Sequence, residues 1–138
     1  LSRATGLGAG GLRTPLAPEL RPLAAVYQRY ARAAARVAEA ALREHGKAIF
    51  ERQFVLKRIA DLMIDLFVGL CVVSRANSLI AVDPKSKAEL VQVAEIFTQQ
   101  ARRRMVRNIR GEAHNEDGAI DALAQSVLAH GGYRWDVI

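Results

Sequence analysis

Apolar residues recur every three or four positions along most of this chain, which is the spacing of one face of an α-helix. In the first such segment, about residues 23–44, the apolar positions are Val26, Tyr30, Ala33, Val37 and Ala41. Arginines recur on another face of the same segment, so the predicted helix is amphipathic and basic. We expect this helix to end at His45-Gly46, because glycine readily adopts the left-handed conformation that stops a helix.

The same spacing predicts three further helices. They cover about residues 47–80, 84–110 and 116–129. The first of these three is apolar nearly all round from Ile59 onward, which is typical of the central helix of a bundle, and we expect a bend near Gly69. Gly111 is expected to end the next helix. The last helix is expected to bury Ile120, Leu123, Val127 and Leu128.

The chain shows no alternating pattern typical of β-strands, so the predicted fold class is all-α. Four helices with short connections predict an antiparallel four-helix bundle over residues 23–138. Four glycines and three prolines in residues 1–22 oppose regular structure, so that segment is predicted to be a linker or arm. The run Gly6–Gly11 formally satisfies the GxGxxG pattern, but a dinucleotide site also needs a strand before the loop and a helix after it.

The composition narrows the chemistry that this chain can perform. Its 138 residues are enough for one domain, and the formal net charge of +6 favours anionic partners. Cys71 is the only cysteine, which excludes an internal disulfide and a thiolate zinc cluster, and its apolar neighbours predict an inert core thiol. The three histidines each lie near a glycine at a predicted helix end, so we expect them to cap helices rather than to bind metal.

Two further features concern cellular context. The uncharged stretch Leu66–Ser74 is much shorter than the ~20 residues that a membrane span needs. The chain begins at Leu1 rather than at methionine, so we expect it to be a fragment of a longer protein. Its first residues do not show the basic start and apolar run that are typical of a signal peptide.

The predicted central helix carries three charged residues among apolar neighbours: Asp61, Asp65 and Arg75. Buried charges must be paired, so we expect these residues to make structural or interface contacts with another helix or another domain. Paired carboxylates can also act as general acid and base. No accompanying acid, base or metal motif supports that role here, so no catalytic residue is predicted.

The basic faces of the first and third helices are the remaining candidates. They contain Arg29, Arg32, Arg36, Arg43, Arg103 and Arg107. Such a face can simply be solvated, or it can contact an anionic membrane surface, an acidic protein or a nucleic acid. Nucleic acid is the less favoured partner, because no helix-turn-helix, zinc-finger or RNA-stacking pattern is present.

The middle of the chain resembles the C-terminal helical domain of very-long-chain-type acyl-CoA dehydrogenases and of the related complex I assembly acyl-CoA dehydrogenase. The matching positions are Gln53, Phe54, Leu56, Arg58, Ala60, Asp61, Ile64, Asp65, Leu66, Ser74, Arg75 and Ala76. Phe67 stands where that family usually has tyrosine, and Asn77 where it usually has serine. The strong part of the resemblance covers about residues 45–80.

The resemblance implies a parent enzyme that uses FAD to oxidise acyl-CoA in fatty-acid β-oxidation. In that family the flavin, the thioester and the catalytic glutamate belong to the preceding domains, so no catalytic, cofactor-binding or metal residue is assigned here. The resemblance also implies packing on the catalytic body, a homodimer and membrane association. The expected location is mitochondrial in a eukaryote, and cytoplasmic or peripheral to the membrane in a bacterium.

Two other functions stay open on the sequence. The main alternative is a free-standing basic helical module that binds an acidic protein, an anionic lipid or a nucleic acid. The other is an independent enzyme whose site has no recognisable motif.

Overall fold

A computed structural model describes residues 15–133, which form four α-helices joined by short connections. The helices are α1 (Arg21–His45), α2 (Gln53–Val82), α3 (Lys87–Ala113) and α4 (Asp117–Ala129). Short 3-10 turns lie before α1, between α1 and α2, and before α3, at Pro18–Leu20, Gly46–Glu51 and Pro84–Ser86. No strand occurs in this part of the chain, and the predicted all-α class is confirmed.

The helix ends differ in detail from the predicted ones. A turn at Pro18–Leu20 precedes α1, and Leu20 is completely buried, so the chain joins the core before residue 23. Gly46 has a φ of 52° at the end of α1, as expected for a glycine that stops a helix. The expectation that Gly111 ends the third helix is wrong, since α3 continues to Ala113. The Gly6–Gly11 motif lies outside the described residues.

Helices α1, α2 and α3 surround the main core. The largest fully buried side chains are Tyr27, Leu20, Leu62 and Met105. The start of α1 lies beside the end of α2, where the Ala17 N–H donates to Asn77 Oδ1 at 2.8 Å. The start of α1 also lies beside the start of α3, where Lys87 Nζ is 2.7 Å from Glu19 Oε1. The three helices therefore run up, down and up.

Tyr27 packs across the centre of this bundle. Its ring lies so close to Gly69 of α2 that a Cβ at that position would be 2.0 Å from Tyr27 Cε1. Its hydroxyl donates to Thr98 Oγ1 of α3 at 3.0 Å, and Thr98 in turn donates to the Ala94 carbonyl. Burial raises the pKa of Tyr27. α2 stays helical through Gly69, so this glycine permits the close approach of the aromatic ring.

Helix α4 does not contribute to the core. Ile120 is 48% exposed, Leu123 is 55% exposed and Leu128 is 80% exposed, so the predicted burial of these three residues is wrong, and Val127 is only half-buried. The apolar spacing correctly indicated a helix with an apolar face. It could not indicate what covers that face, because α1, α2 and α3 already enclose the core without α4.

Two other details of the surface bear on function. Cys71 is exposed, which corrects the expectation of a core thiol: it lies on the outer side of α2, at the edge of the shallow groove that this helix forms with α3. His130 caps α4, since its Nδ1 lies 2.7 Å from the Ser126 carbonyl oxygen. Over residues 15–133, no helix has the length and apolar character needed to cross a bilayer.

Candidate interaction surfaces

Helix α2 exposes apolar side chains on the side opposite its buried face. Between Asp61 and Arg75 the only charged residue is Asp65, and it points into the bundle. The exposed side chains are Met63, Ile64, Phe67, Val68, Leu70 and Cys71, and we call them the α2 outer face. Phe67 is 71% exposed and Ile64 is 59% exposed. A contiguous exposed apolar patch of this kind marks an interaction site in a folded protein.

A shallow groove adjoins this face where α2 meets α3, and we call it the α2–α3 groove. Its volume is about 400 Å³, and its walls include Val68, Val72 and Leu79 from α2 and Leu90 and Val93 from α3. Arg75 also lines it and is exposed. The apolar surface of α2 therefore extends onto α3, with one cationic side chain beside it.

The three charged residues predicted to make polar contacts are not brought together. Asp65 is 7% exposed and accepts from Arg104 Nε on α3 at 2.8 Å. That hydrogen bond raises the pKa of Arg104. Asp61 pairs within its own helix, where Lys57 Nζ lies 2.7 Å from its Oδ2. Arg75 makes no ion pair with any residue from 15 to 133. The two carboxylates thus have separate structural partners, and the predicted contact of Arg75 stays a prediction.

An ion-pair cluster centred on Arg58 was not predicted from the sequence. Its Nε lies 2.7 Å from Glu112 Oε2 at the end of α3. Its Nη2 lies 2.6 Å from Asp117 Oδ2 at the start of α4, and its Nη1 donates to Asp117 Oδ1 at 3.1 Å. The Arg58 side chain is 13% exposed, and these hydrogen bonds, Asp117 first, raise its pKa. The partners lie 54 and 59 residues away, so no local spacing could have revealed them.

A cavity of about 240 Å³ lies beside this cluster, between the connection from α1 to α2 and the start of α4. Its lining is mostly charged, and its volume is below the ~300–1,000 Å³ typical of small-molecule sites. The residues around it therefore do not fit a flavin, and we assign FAD to none of them.

The arginines predicted to form basic faces are all on the surface. Arg29, Arg32, Arg36 and Arg43 are exposed on one side of α1, which we call the α1 outer face. Among these four, Arg43 pairs with Glu39. On α3, Arg103 and Arg107 are also exposed. Contact of these residues with an anionic partner stays a prediction.

The apolar and basic faces point in different directions. Because three helices surround one core, the outer faces of neighbouring helices diverge by roughly 120°. A flat partner such as a bilayer cannot therefore cover the α1 outer face and the α2 outer face at once. The two surfaces are suited to two different contacts.

These features define a small all-α domain with an apolar outer face on α2 and a basic outer face on α1. The chain belongs to the family described as ACAD9/ACADV, C-terminal domain, whose model matches residues 18–133. This confirms the resemblance seen in the sequence and extends it to α1, α3 and α4.

Individual relatives agree with the family match. The human very long-chain specific acyl-CoA dehydrogenase, mitochondrial, is 41% identical over 78 residues, which is 56% of this chain and 12% of the relative. The protein of the same name from Rattus norvegicus is 40% identical over 78 residues, which again cover 56% of this chain and 12% of the relative. The chain thus spans only 12% of the length of these relatives.

Proposed function

We propose that this chain is the non-catalytic C-terminal domain of an acyl-CoA dehydrogenase and that it acts by packing on the dehydrogenase portion of the enzyme. The observation that carries the proposal is the α2 outer face. An apolar side chain such as Phe67 contributes about 1.5–3 kcal/mol when it passes from full exposure to full burial. Six such side chains on one face of one helix favour association with a surface of matching shape.

A protein surface fits the α2 outer face better than a lipid surface does. Helices that lie on membranes carry Lys and Arg on their polar face and so combine apolar insertion with attraction to anionic headgroups. On α2, Lys57 is already paired with Asp61, and the arginines of α1 point elsewhere. The exposed cations beside the apolar face, Arg75 from α2 and Arg107 from α3, are few compared with its six apolar side chains, so insertion into an anionic membrane is the less favoured contact.

The catalytic reaction would then take place on the dehydrogenase portion and not on this domain. The dehydrogenase portion would bind FAD and acyl-CoA and carry out the oxidation, while this domain would stabilise the assembled subunit. The family match and the names of the relatives support this division of roles. No step of the reaction is assigned to residues 15–133. A contribution of this domain to dimer assembly stays a prediction.

Alkylation of Cys71 tests the docking directly, because this thiol lies within the α2 outer face. The 138-residue chain is alkylated alone and with the dehydrogenase portion in excess, and modification is followed by peptide mass spectrometry. Docking should slow modification of Cys71 at least tenfold.

The matched control is Ala40→Cys in a Cys71→Ser background, which places a thiol at an exposed position of α1. Its rate should be the same with and without the dehydrogenase portion. Equal rates for Cys71 in both samples would overturn the proposal, as would a coding sequence with no dehydrogenase region.

We also propose a second contact, between the α1 outer face and an anionic membrane surface. Each arginine held near such a surface contributes about 1 kcal/mol, so four together can hold the domain there at moderate salt. The exposed residues that share this side of α1 are small or polar, namely Ala25, Gln28, Glu39 and Ala40, so contact would be electrostatic and salt-sensitive rather than insertive.

Liposome sedimentation tests this second contact. Binding should occur on anionic vesicles at low salt, fall at high salt, and be lost when Arg29, Arg32, Arg36 and Arg43 are changed to glutamine. Absence of binding on anionic vesicles at low salt would refute it. Tighter binding to duplex DNA or to an acidic protein would replace the membrane with that partner.

A further inference from the structure

Arg75 is the one charged side chain that lines the α2–α3 groove. It lies one turn beyond Cys71, so it continues the α2 outer face. The nearest carboxylates on its own helix and just after it are already engaged. Asp65 accepts from Arg104, and Asp83 accepts from the Lys85 N–H and the Ser86 hydroxyl.

Two other arginines that lie between α2 and α3, Arg58 and Arg104, are paired. Arg58 holds Glu112 and Asp117, and Arg104 holds Asp65. Arg75 differs because the groove around it offers only apolar side chains from α2 and α3. Water solvates its guanidinium as long as the groove is open.

A partner that covers the groove would remove this solvation. A partner that buries Val68, Leu79 and Val93 would also remove water from Arg75. A buried cation without a counter-charge is strongly unfavourable, so a stable partner must bring an acceptor to this point. The planar guanidinium matches a carboxylate, which can accept two parallel N–H bonds.

We propose that Arg75 forms an ion pair with an aspartate or glutamate of the dehydrogenase portion, and that this pair fixes the position in which that portion covers the α2–α3 groove. The inference rests on the proposed docking. The dehydrogenase portion is the occupant we infer, because the family relatives are far longer than this chain and the groove continues the proposed docking face. Arg75 is thus a specificity residue for an interface rather than a catalytic one.

The experiment compares Arg75→Lys, Arg75→Gln and Arg75→Glu in the 138-residue chain. Each variant is titrated into the dehydrogenase portion, and the dissociation constant is read from protection of Cys71 against alkylation. Loss of one partner of a buried charge pair should weaken binding about 30-fold or more in Arg75→Gln. Arg75→Glu should be weaker still, because it opposes two carboxylates, whereas Arg75→Lys should retain much of the affinity.

The matched control is Arg36→Gln, which makes the same change in charge on the α1 outer face and should leave the dissociation constant unchanged. Thermal melting of each variant alone should stay within the range of ordinary surface substitutions, since Arg75 is exposed. A loss of affinity can then be attributed to the interface.

The results of this experiment distinguish the docking of the α2 outer face from the ion pair of Arg75. Equal protection of Cys71 in wild type and in Arg75→Glu would overturn the ion pair and leave the docking intact. No protection of Cys71 in wild type would overturn both. Protection by anionic phospholipid vesicles but not by the dehydrogenase portion would also overturn the inference, because the acceptor would then be a headgroup phosphate.

Discussion

Replacing Gly69 with alanine tests the packing at the centre of the bundle. The added Cβ would lie 2.0 Å from Tyr27 Cε1, 2.2 Å from Cζ and 2.5 Å from the hydroxyl oxygen, all well inside van der Waals contact. The ring cannot move aside easily, because Tyr27 is completely buried and its hydroxyl is bonded to Thr98. Overpacking of a core costs about 1–3 kcal/mol, and this overlap favours the upper end.

The same change also has a stabilising component. Alanine is favoured over glycine inside a helix by about 1 kcal/mol. The net loss of unfolding free energy should therefore be about 2 kcal/mol, which lowers the melting temperature by roughly 6–10 °C for a chain of this length. Urea unfolding followed by circular dichroism at 222 nm measures the free energy, and a temperature scan measures the midpoint.

Gly118→Ala is the matched control, because Gly118 is also helical and has nothing within 4 Å of an added Cβ. It should be neutral or slightly stabilising. In a Tyr27→Ala background the clash is absent, so Gly69→Ala should also become neutral or stabilising there. A Gly69→Ala variant within about 0.5 kcal/mol of wild type would refute the close packing of Tyr27 on Gly69.

Three further predictions concern buried polar groups. Burial raises the pKa of Tyr27, so absorbance at 295 nm should show a tyrosine that ionises above the ordinary value of 10.0. The unfolding free energy should therefore fall as the pH rises past that value, because the unfolded chain then loses the proton more readily. Tyr27→Phe should remove both effects. Arg58→Gln should cost about 2 kcal/mol in urea unfolding, because it leaves two partly buried carboxylates without their cation. Amide exchange should also quicken in the helix that begins at Asp117, and unchanged exchange there would contradict this anchoring. Asp65→Asn should cost only about 1–2 kcal/mol, because the Arg104 side chain is 39% exposed and can turn to water.

The approximate positions of the helices could be predicted, because they depend on local apolar spacing and on residues such as Gly46, although some helix ends differ by several residues. The centre of the buried face of α1 was harder to predict. Alanine lies on every side of this helix, so apolar contrast is weak, and the pattern pointed to Val26 and Tyr30 when Tyr27 is the fully buried residue.

The contacts between helices could not be predicted from one sequence. Which arginine meets Asp65 depends on how α2 and α3 are aligned along their axes, and side-chain packing over the whole bundle determines that alignment. The predicted need of Asp65 for a partner is met by Arg104, 39 residues away. For Arg75 the proposed partner lies outside the described residues. The spacing of residues along a chain can predict that a charged side chain requires a partner, but not which residue that partner is.

The anchoring of the first described residues has a mechanical consequence. Asn77 Oδ1 accepts from the Ala17 N–H, and its Nδ2 donates to the Pro15 carbonyl at 3.4 Å, so the chain enters the bundle at the end where α2 finishes. Arg58 holds α4 at the end where α2 begins. Nineteen residues of α2 separate these two anchors, which at the helical rise is about 28 Å. The bundle is thus a rigid spacer that keeps its entry point and the apolar side of α4 a fixed distance apart.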